Sequence, residues 1–74
     1  MQWVPVVSTV ISQIGYDSTT RELGIEFRES GKVFLYFDVP PEEHEAFMAA
    51  ASKGIYLNTV FKQQGYRYVI VRNS

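Results

Sequence analysis

The chain has 74 residues, 46% hydrophobic and 15% aromatic, with a net charge of −1. Its length fits one domain spanning 1–74, with a core small enough that self-association matters. The lack of cysteine excludes disulfides, thiol chemistry and cysteine-built zinc sites, and no apolar run reaches the ~20 residues of a membrane helix. The start, Met1-Gln2-Trp3-Val4-Pro5, has neither a basic region nor a signal-type apolar core, so a cytoplasmic protein is expected.

Trp3 to Ser8 is an apolar lead-in interrupted by Pro5, suited to an edge strand or a docked arm. Val10 to Tyr16 reads as the first core strand, and Asp17 to Thr20 has turn composition. Glu22 to Arg28 alternates: Leu23, Ile25 and Phe27 point one way, Glu22, Glu26 and Arg28 the other. Lys32 to Val39 is apolar on both faces, so only its turn can orient it. A two-residue Ser30-Gly31 loop sets Glu29 against Lys32, Phe27 against Phe34 and Ile25 against Tyr36. Opposed residues share a face, which places Phe34 and Tyr36 in the core and Val33, Leu35 and Phe37 on the reverse. The same logic for the first turn sets Tyr16 against Arg21 and Ile14 against Leu23.

Pro40-Pro41 ends the β half. Pro41 suits the first position of a helix, and Glu42 and Glu43 suit the positive end of its dipole. His44, Phe47, Met48 and Ala51 share one stripe at helical spacing. Ser52 reads as the N-cap of a second helix with an apolar stripe of Tyr56, Leu57, Val60 and Phe61, and Gly65 as its terminator. Tyr66 to Val71 alternates again and is read as a strand returning to the sheet. The fold expected is α+β: a three-stranded antiparallel meander followed by two short helices and a short C-terminal strand.

Charge is unevenly spread. Residues 1–45 hold all eight carboxylates against Arg21, Arg28 and Lys32, whereas 46–74 hold only the bases Lys53, Lys62, Arg67 and Arg72. Such asymmetry can mark a basic face. His44 is the single histidine and lacks a metal-type partner at helical spacing, so it reads as structural, and no metal or cofactor is expected. No serine or threonine has a recognisable base beside it, and no phosphate-loop pattern precedes a helix, so no enzyme is expected. Two stretches suit binding. Ser52-Lys53-Gly54 combines a helix start, a cation and a glycine, although a plain cap with close packing accounts for it as well. Phe61 to Tyr68 interleaves aromatics with Lys62 and Arg67, as single-strand nucleic-acid recognition does, although a core strand with solvated arginines has the same pattern.

With these residues placed, the sequence resembles the KTSC domain family, named for the C-terminal domain of some lysyl-tRNA synthetases and found also as small bacterial and phage proteins. The resemblance runs from about Val7 to Tyr68. It is carried by Ser8-Thr9 with Ile11, Ile14-Gly15-Tyr16-Asp17, Leu23 to Phe27, the central strand into Asp38-Val39-Pro40, and Ser52-Lys53-Gly54 with Tyr56 and Asn58. The family's central Tyr-x-Tyr falls on Phe34 and Tyr36, the first tyrosine being phenylalanine here. The resemblance implies a role for Tyr16, Asp17, Phe34, Tyr36, Pro40 and Asn58 in the fold, and an association with RNA.

The expectation is a non-catalytic binding module. Nucleic acid, RNA first, is the expected ligand, through Ser52, Lys53, Gly54, Lys62, Tyr66 and Arg67. The alternative is a protein-interaction or self-association module using Val33, Leu35 and Phe37 with Trp3. Either Trp3 folds back over that face or a second copy covers it. The reading favours the second copy, a homodimer, and expects no membrane contact.

Overall fold

The structure, a computed structural model, describes residues 1–73. Five antiparallel strands form one sheet in chain order: β1 (Gln2–Pro5), β2 (Ile11–Asp17), β3 (Glu22–Phe27), β4 (Val33–Tyr36) and β5 (Tyr68–Arg72). Between β4 and β5 lie α1 (Pro41–Ala49) and α2 (Lys53–Tyr56), the latter running on as a π turn (Leu57–Phe61) and a 3-10 turn (Lys62–Gln64). The architecture is α+β as expected, but the sheet has one strand more. The lead-in is β1, paired along β2 from Gln2↔Tyr16 to Pro5↔Gln13. Pro5 does not prevent this. Val6 N–H donates to the Ser12 carbonyl, so in the alternating antiparallel pattern the nitrogen of Pro5 faces away from β2.

Both hairpin registers differ from the expected ones by two positions. Ile25 opposes Phe34 and Leu23 opposes Tyr36; Ile14 opposes Ile25 and Tyr16 opposes Leu23. The two turns differ in cause. Arg21 N–H donates to the Asp17 carbonyl at 2.7 Å, so the first loop is 18–21, displaced by one residue from the expected 17–20, whereas Gly31 N–H donates to the Phe27 carbonyl at 2.9 Å and makes the second loop 28–31, longer than the expected tight two-residue turn. Each closes on a left-handed residue, Arg21 at φ 59° and Gly31 at φ 72°. Asp17 Oδ1 accepts from Thr19 N–H at 2.9 Å and Thr20 N–H at 3.3 Å, which stabilises the first loop. A shift by an even number leaves every side chain on its face. Leu23, Ile25, Phe27, Phe34 and Tyr36 therefore do share the helix side, and Val33 and Leu35 the reverse.

β4 stops at Tyr36 rather than Val39, because Asp38 takes a left-handed conformation at φ 58°. α1 stops at Ala49, with Ala50 extended, and β5 begins at Tyr68 rather than Tyr66. Ser52 caps α2 as expected, accepting from Ile55 N–H at 3.2 Å, and Gly65 ends the helical stretch at φ 72°. The π turn has a local cause. Asn58 Nδ2 donates to the Gly54 carbonyl at 3.1 Å and Thr59 Oγ1 to the Ile55 carbonyl at 2.8 Å. These side chains compete with backbone donors for the same carbonyls and loosen the ladder. The wider turn aims Leu57 and Phe61 together at the core, at 1% exposure each, and leaves Val60 37% exposed.

The core lies between the helices and one face of the sheet. Phe47, Leu57 and Phe61 cover Ile11, Ile14, Leu23, Ile25 and Tyr36. Burying one such side chain contributes about 1.5–3 kcal/mol. The reverse face is covered from within the chain. One row across the sheet reads Trp3, Gly15, Gly24, Leu35, Val69. The Trp3 ring lies over the two glycines: a Cβ at Gly15 would stand 2.7 Å from Trp3 Cδ2, and one at Gly24 only 2.5 Å from Trp3 Cη2. Val33 is 7% exposed beneath the Arg72–Glu26 ion pair, and the Arg67 guanidinium sits 5.1 Å above the Phe37 ring. The face expected to be bare is thus largely occupied. No helix among the described residues is long and apolar enough to cross a membrane.

Candidate nucleic-acid interface

The helices do not reach the β5 end of the sheet. There, Phe27, Phe34, Tyr36 and Tyr68 form an aromatic ledge across three strands. Tyr68 stacks on Phe34 with centroids 5.2 Å apart and planes at 15°. Phe27 meets Phe34 edge-on at 5.1 Å, and Tyr36 meets Phe61 edge-on at 4.9 Å, geometries that aromatic quadrupoles favour. The ledge grades from the buried Tyr36, 6% exposed, through the half-buried Phe34 to Tyr68, 53% exposed. Burial and the neighbouring Tyr68 push the Tyr36 phenol up to about 12, so the ring presents a neutral surface.

Two depressions open on this ledge, of about 410 and about 680 Å³. Both have Phe34 and Tyr36 as floor and Lys62 in their wall; Lys32 lines the larger. Neither lysine makes an ion pair among the described residues. One carboxylate, Glu29, shares the larger depression. Two cations beside exposed π faces can hold phosphates while the rings take bases.

Thr9 and Val10 connect this ledge to an open groove of about 920 Å³ between the 6–10 segment and α2. Sequence pieces far apart meet here: Ser8, Arg28, Ser52, Lys53, Gly54 and Asn58. Their polar atoms are largely engaged within the fold. Arg28 donates to the carbonyls of Ser8 at 2.8 Å and Ile11 at 3.2 Å, strapping the segment to the sheet. Ser8 Oγ accepts from Val10 and Ile11 N–H, both at 3.1 Å. Lys53 Nζ donates to the Ala50 carbonyl at 2.5 Å, closing the end of α1. A Cβ at Gly54 would stand 3.0 Å from Val10 Cγ2, so this glycine permits close packing. Capping and packing therefore account for Ser52-Lys53-Gly54.

The six residues singled out for binding do not form one surface. Ser52, Lys53 and Gly54 belong to the groove, while Lys62 and Tyr66 border the aromatic depression. Arg67 lies on the reverse face, 3.6 Å from Asp38 and over Phe37. Tyr66 is a tie rather than a platform: its hydroxyl donates to Glu43 Oε1 at 2.9 Å while the Tyr56 hydroxyl donates to Oε2 of the same carboxylate. Burial first, then the hydrogen bond to Glu43, push the Tyr66 phenol up; the same causes bring Tyr56 to about 12. Tyr16 and His44 are likewise engaged within the fold. The Tyr16 hydroxyl donates to the Val39 carbonyl at 2.6 Å, its ring stacks on His44 at 4.3 Å, and burial raises its phenol. Pro40 is the N-cap residue of α1. Sequence reasoning missed Phe27 and Lys32 as neighbours of Lys62; Tyr68 stood in the aromatic–basic stretch with Lys62 but not among the six residues. The alternation that put Phe27 with Phe34 and Tyr36 was the available signal.

An antiparallel sheet backed on one face by two short helices, with an aromatic edge, defines a small α+β domain. The profile of the KTSC domain matches residues 7–68, and the chain belongs to that family. It is 41% identical over 68 residues to an uncharacterised protein of Stutzerimonas stutzeri, covering 92% of this chain and 94% of that one. It is 44% identical over 54 residues to a lysine–tRNA ligase of Nostoc punctiforme, which is 73% of this chain but 9% of the ligase. The crystal structure of a KTSC domain protein from Yersinia pestis superposes with a TM-score of 0.86 at 40% identity, covering 95% of this chain and 96% of that one.

Proposed function

We propose that this domain is a non-catalytic module that binds single-stranded nucleic acid, RNA first, along the aromatic ledge. The observation that carries the reading is the partly exposed Phe34–Tyr68 stack with Lys62 beside it and Lys32 lining the adjoining depression that Phe34 also floors, two lysines without ion-pair partners among the described residues. A base stacks on Tyr68 and the lysines hold the flanking phosphates. The related segment within the Nostoc ligase, whose name places a tRNA among its substrates, supports RNA over DNA. Stacking on an aromatic side chain is worth about 1–3 kcal/mol per base. Two phosphate contacts on a single strand predict a salt slope near −1.4, so raising salt from 50 to 200 mM weakens binding about sevenfold. The alternative, a protein contact through Val33, Leu35 and Phe37, loses much of its area to Trp3, Arg67 and the Arg72–Glu26 pair.

Anisotropy titration of a labelled, unstructured RNA oligonucleotide tests the proposal. Tyr68→Ala weakens binding by about 1–3 kcal/mol. Lys62→Gln weakens it and flattens the salt slope, and Arg67→Gln, on the reverse face, leaves it unchanged. No RNA binding by the parent, or equal loss in all three variants, refutes the ledge.

A further inference from the structure

β5 carries a continuous run of exposed apolar side chains: Tyr68 at 53%, Val69 at 46%, Ile70 at 44% and Val71 at 56%. It is an edge strand, with β4 on one side and no strand among the described residues on the other. Edges offer unpaired N–H and C=O groups, and proteins usually blunt them with proline, charge or a bulge. The opposite edge, β1, carries Pro5. β5 has no proline and no charge before Arg72, and its register irregularity falls at its far end, beside Val71. Its free groups can be assigned. Phe37 N–H donates to the Arg67 carbonyl, and the register continues as Tyr36↔Tyr68, Leu35↔Val69, Phe34↔Ile70. Bonded and non-bonded pairs alternate in an antiparallel ladder. Val69 therefore turns its N–H and C=O to Leu35, and Tyr68 and Ile70 turn theirs outward.

We propose that the β5 edge pairs antiparallel with the β5 edge of a second copy of this chain, about a two-fold axis at Val69. Tyr68 exchanges N–H···O=C bonds with the partner's Ile70, and Ile70 with the partner's Tyr68. Val69 meets the partner's Val69, and Arg67 meets the partner's Val71. The strand is complementary to itself: its apolar and aromatic residues pair favourably across the axis, and no like charges oppose. This self-complementarity selects a second copy over an unrelated partner. Arg67 and Arg72 are already balanced by Asp38 and Glu26, so no uncompensated charge resists the approach. One strand edge buries less than a stable dimer requires, so the association is weak and reversible. Such an axis stands perpendicular to the sheet and sets both aromatic ledges on the same side. The inference stands apart from nucleic-acid binding and is tested without it.

Amide hydrogen exchange followed by NMR, with sedimentation on the same samples, tests it. At about 1 mM chain the Tyr68 and Ile70 amides are protected, and at about 10 µM they exchange freely, whereas Val69 is protected at both. Val69→Lys keeps the backbone bonds to Leu35 but opposes two cations in the dimer; the chain stays folded and monomeric. Ile70→Pro removes only an outward N–H and has the same effect. A folded parent that sediments as a monomer at about 1 mM, with Tyr68 and Ile70 exchanging freely, overturns the proposal and leaves the edge to an extended segment of another protein. A dimer unaffected by Val69→Lys also overturns it, placing the contact elsewhere.

Discussion

Gly24→Ala tests the packing that closes the reverse face. In an ordinary strand interior, exchanging glycine for alanine relieves backbone entropy and gains about 0.5–1 kcal/mol. Here the new Cβ would stand 2.5 Å from Trp3 Cη2 and 3.0 Å from Cζ2, too close for real atoms. Gly24 lies in the middle of β3 and cannot retreat, so the indole has to lift from the sheet. Overpacking of this kind costs about 1–3 kcal/mol, which outweighs the entropic gain and leaves a net loss of about 1–2 kcal/mol. In a Trp3→Ala background the obstacle is gone, and the same substitution stabilises by about 0.5 kcal/mol. The double-mutant cycle therefore yields a coupling of about 2 kcal/mol between residues far apart in sequence. Urea unfolding supplies the energies. Trp3 is the single tryptophan, so its emission reports the ring directly and shifts to the red in Gly24→Ala. A Gly24→Ala chain as stable as the parent, with unchanged emission, refutes the placement of Trp3 over the glycines.

Two further outcomes follow from the helix side. Tyr36→Ala removes a ring packed on Phe61 and destabilises by about 3–5 kcal/mol, whereas Tyr36→Phe keeps the ring and changes stability by less than about 0.5 kcal/mol; a urea midpoint in Tyr36→Ala close to the parent's would contradict its place in the core. Burial holds the His44 imidazole below its ordinary value of 6.5, with Glu45 opposing the shift. The unfolded chain therefore takes up a proton before the folded one does: the His44 contribution is intact above pH 6.5 and is lost as pH falls from there through the lower folded value. His44→Phe keeps a ring against Tyr16 and flattens that slope between about pH 7.5 and 5.5 in urea titrations. An NMR titration placing the folded imidazole at or above 6.5 contradicts the argument.

The faces of the sheet were legible in the sequence because side-chain alternation has period two. The loops were not. Arg21 adopts a left-handed conformation that nothing in its residue type announces, and Gly31 closes a longer turn than the Ser30-Gly31 pair suggests. Both errors were even-numbered, so they moved partners without moving faces. β1 was legible as an edge strand or a docked arm but not as which of the two, because Pro5 is harmless when its nitrogen faces outward, and that depends on the pairing itself. α2 was read as a regular stripe with Val60 inside it; the side-chain bonds of Asn58 and Thr59 widen the turn and move Val60 out. The ledge was half visible. Alternation sets Phe34 and Tyr36 on one face with Phe27, and the aromatic–basic stretch contains Lys62, but only the three-dimensional return of β5 sets Tyr68 on Phe34. Arg67 followed from the aromatic–basic alternation, and that same alternation sends it to the opposite face from Tyr68.

The central claim is that the aromatic ledge receives a single strand. Amide and side-chain NMR shifts recorded while an unstructured RNA oligonucleotide is titrated into the 74-residue chain test it most directly. The account predicts that the perturbed signals are those of Lys32, Phe34, Lys62 and Tyr68, that they weaken together as salt is raised, and that the Trp3 indole and Arg67 signals stay fixed. Saturable shifts centred on Trp3 and Arg67, or no saturable shifts at low salt, contradict it.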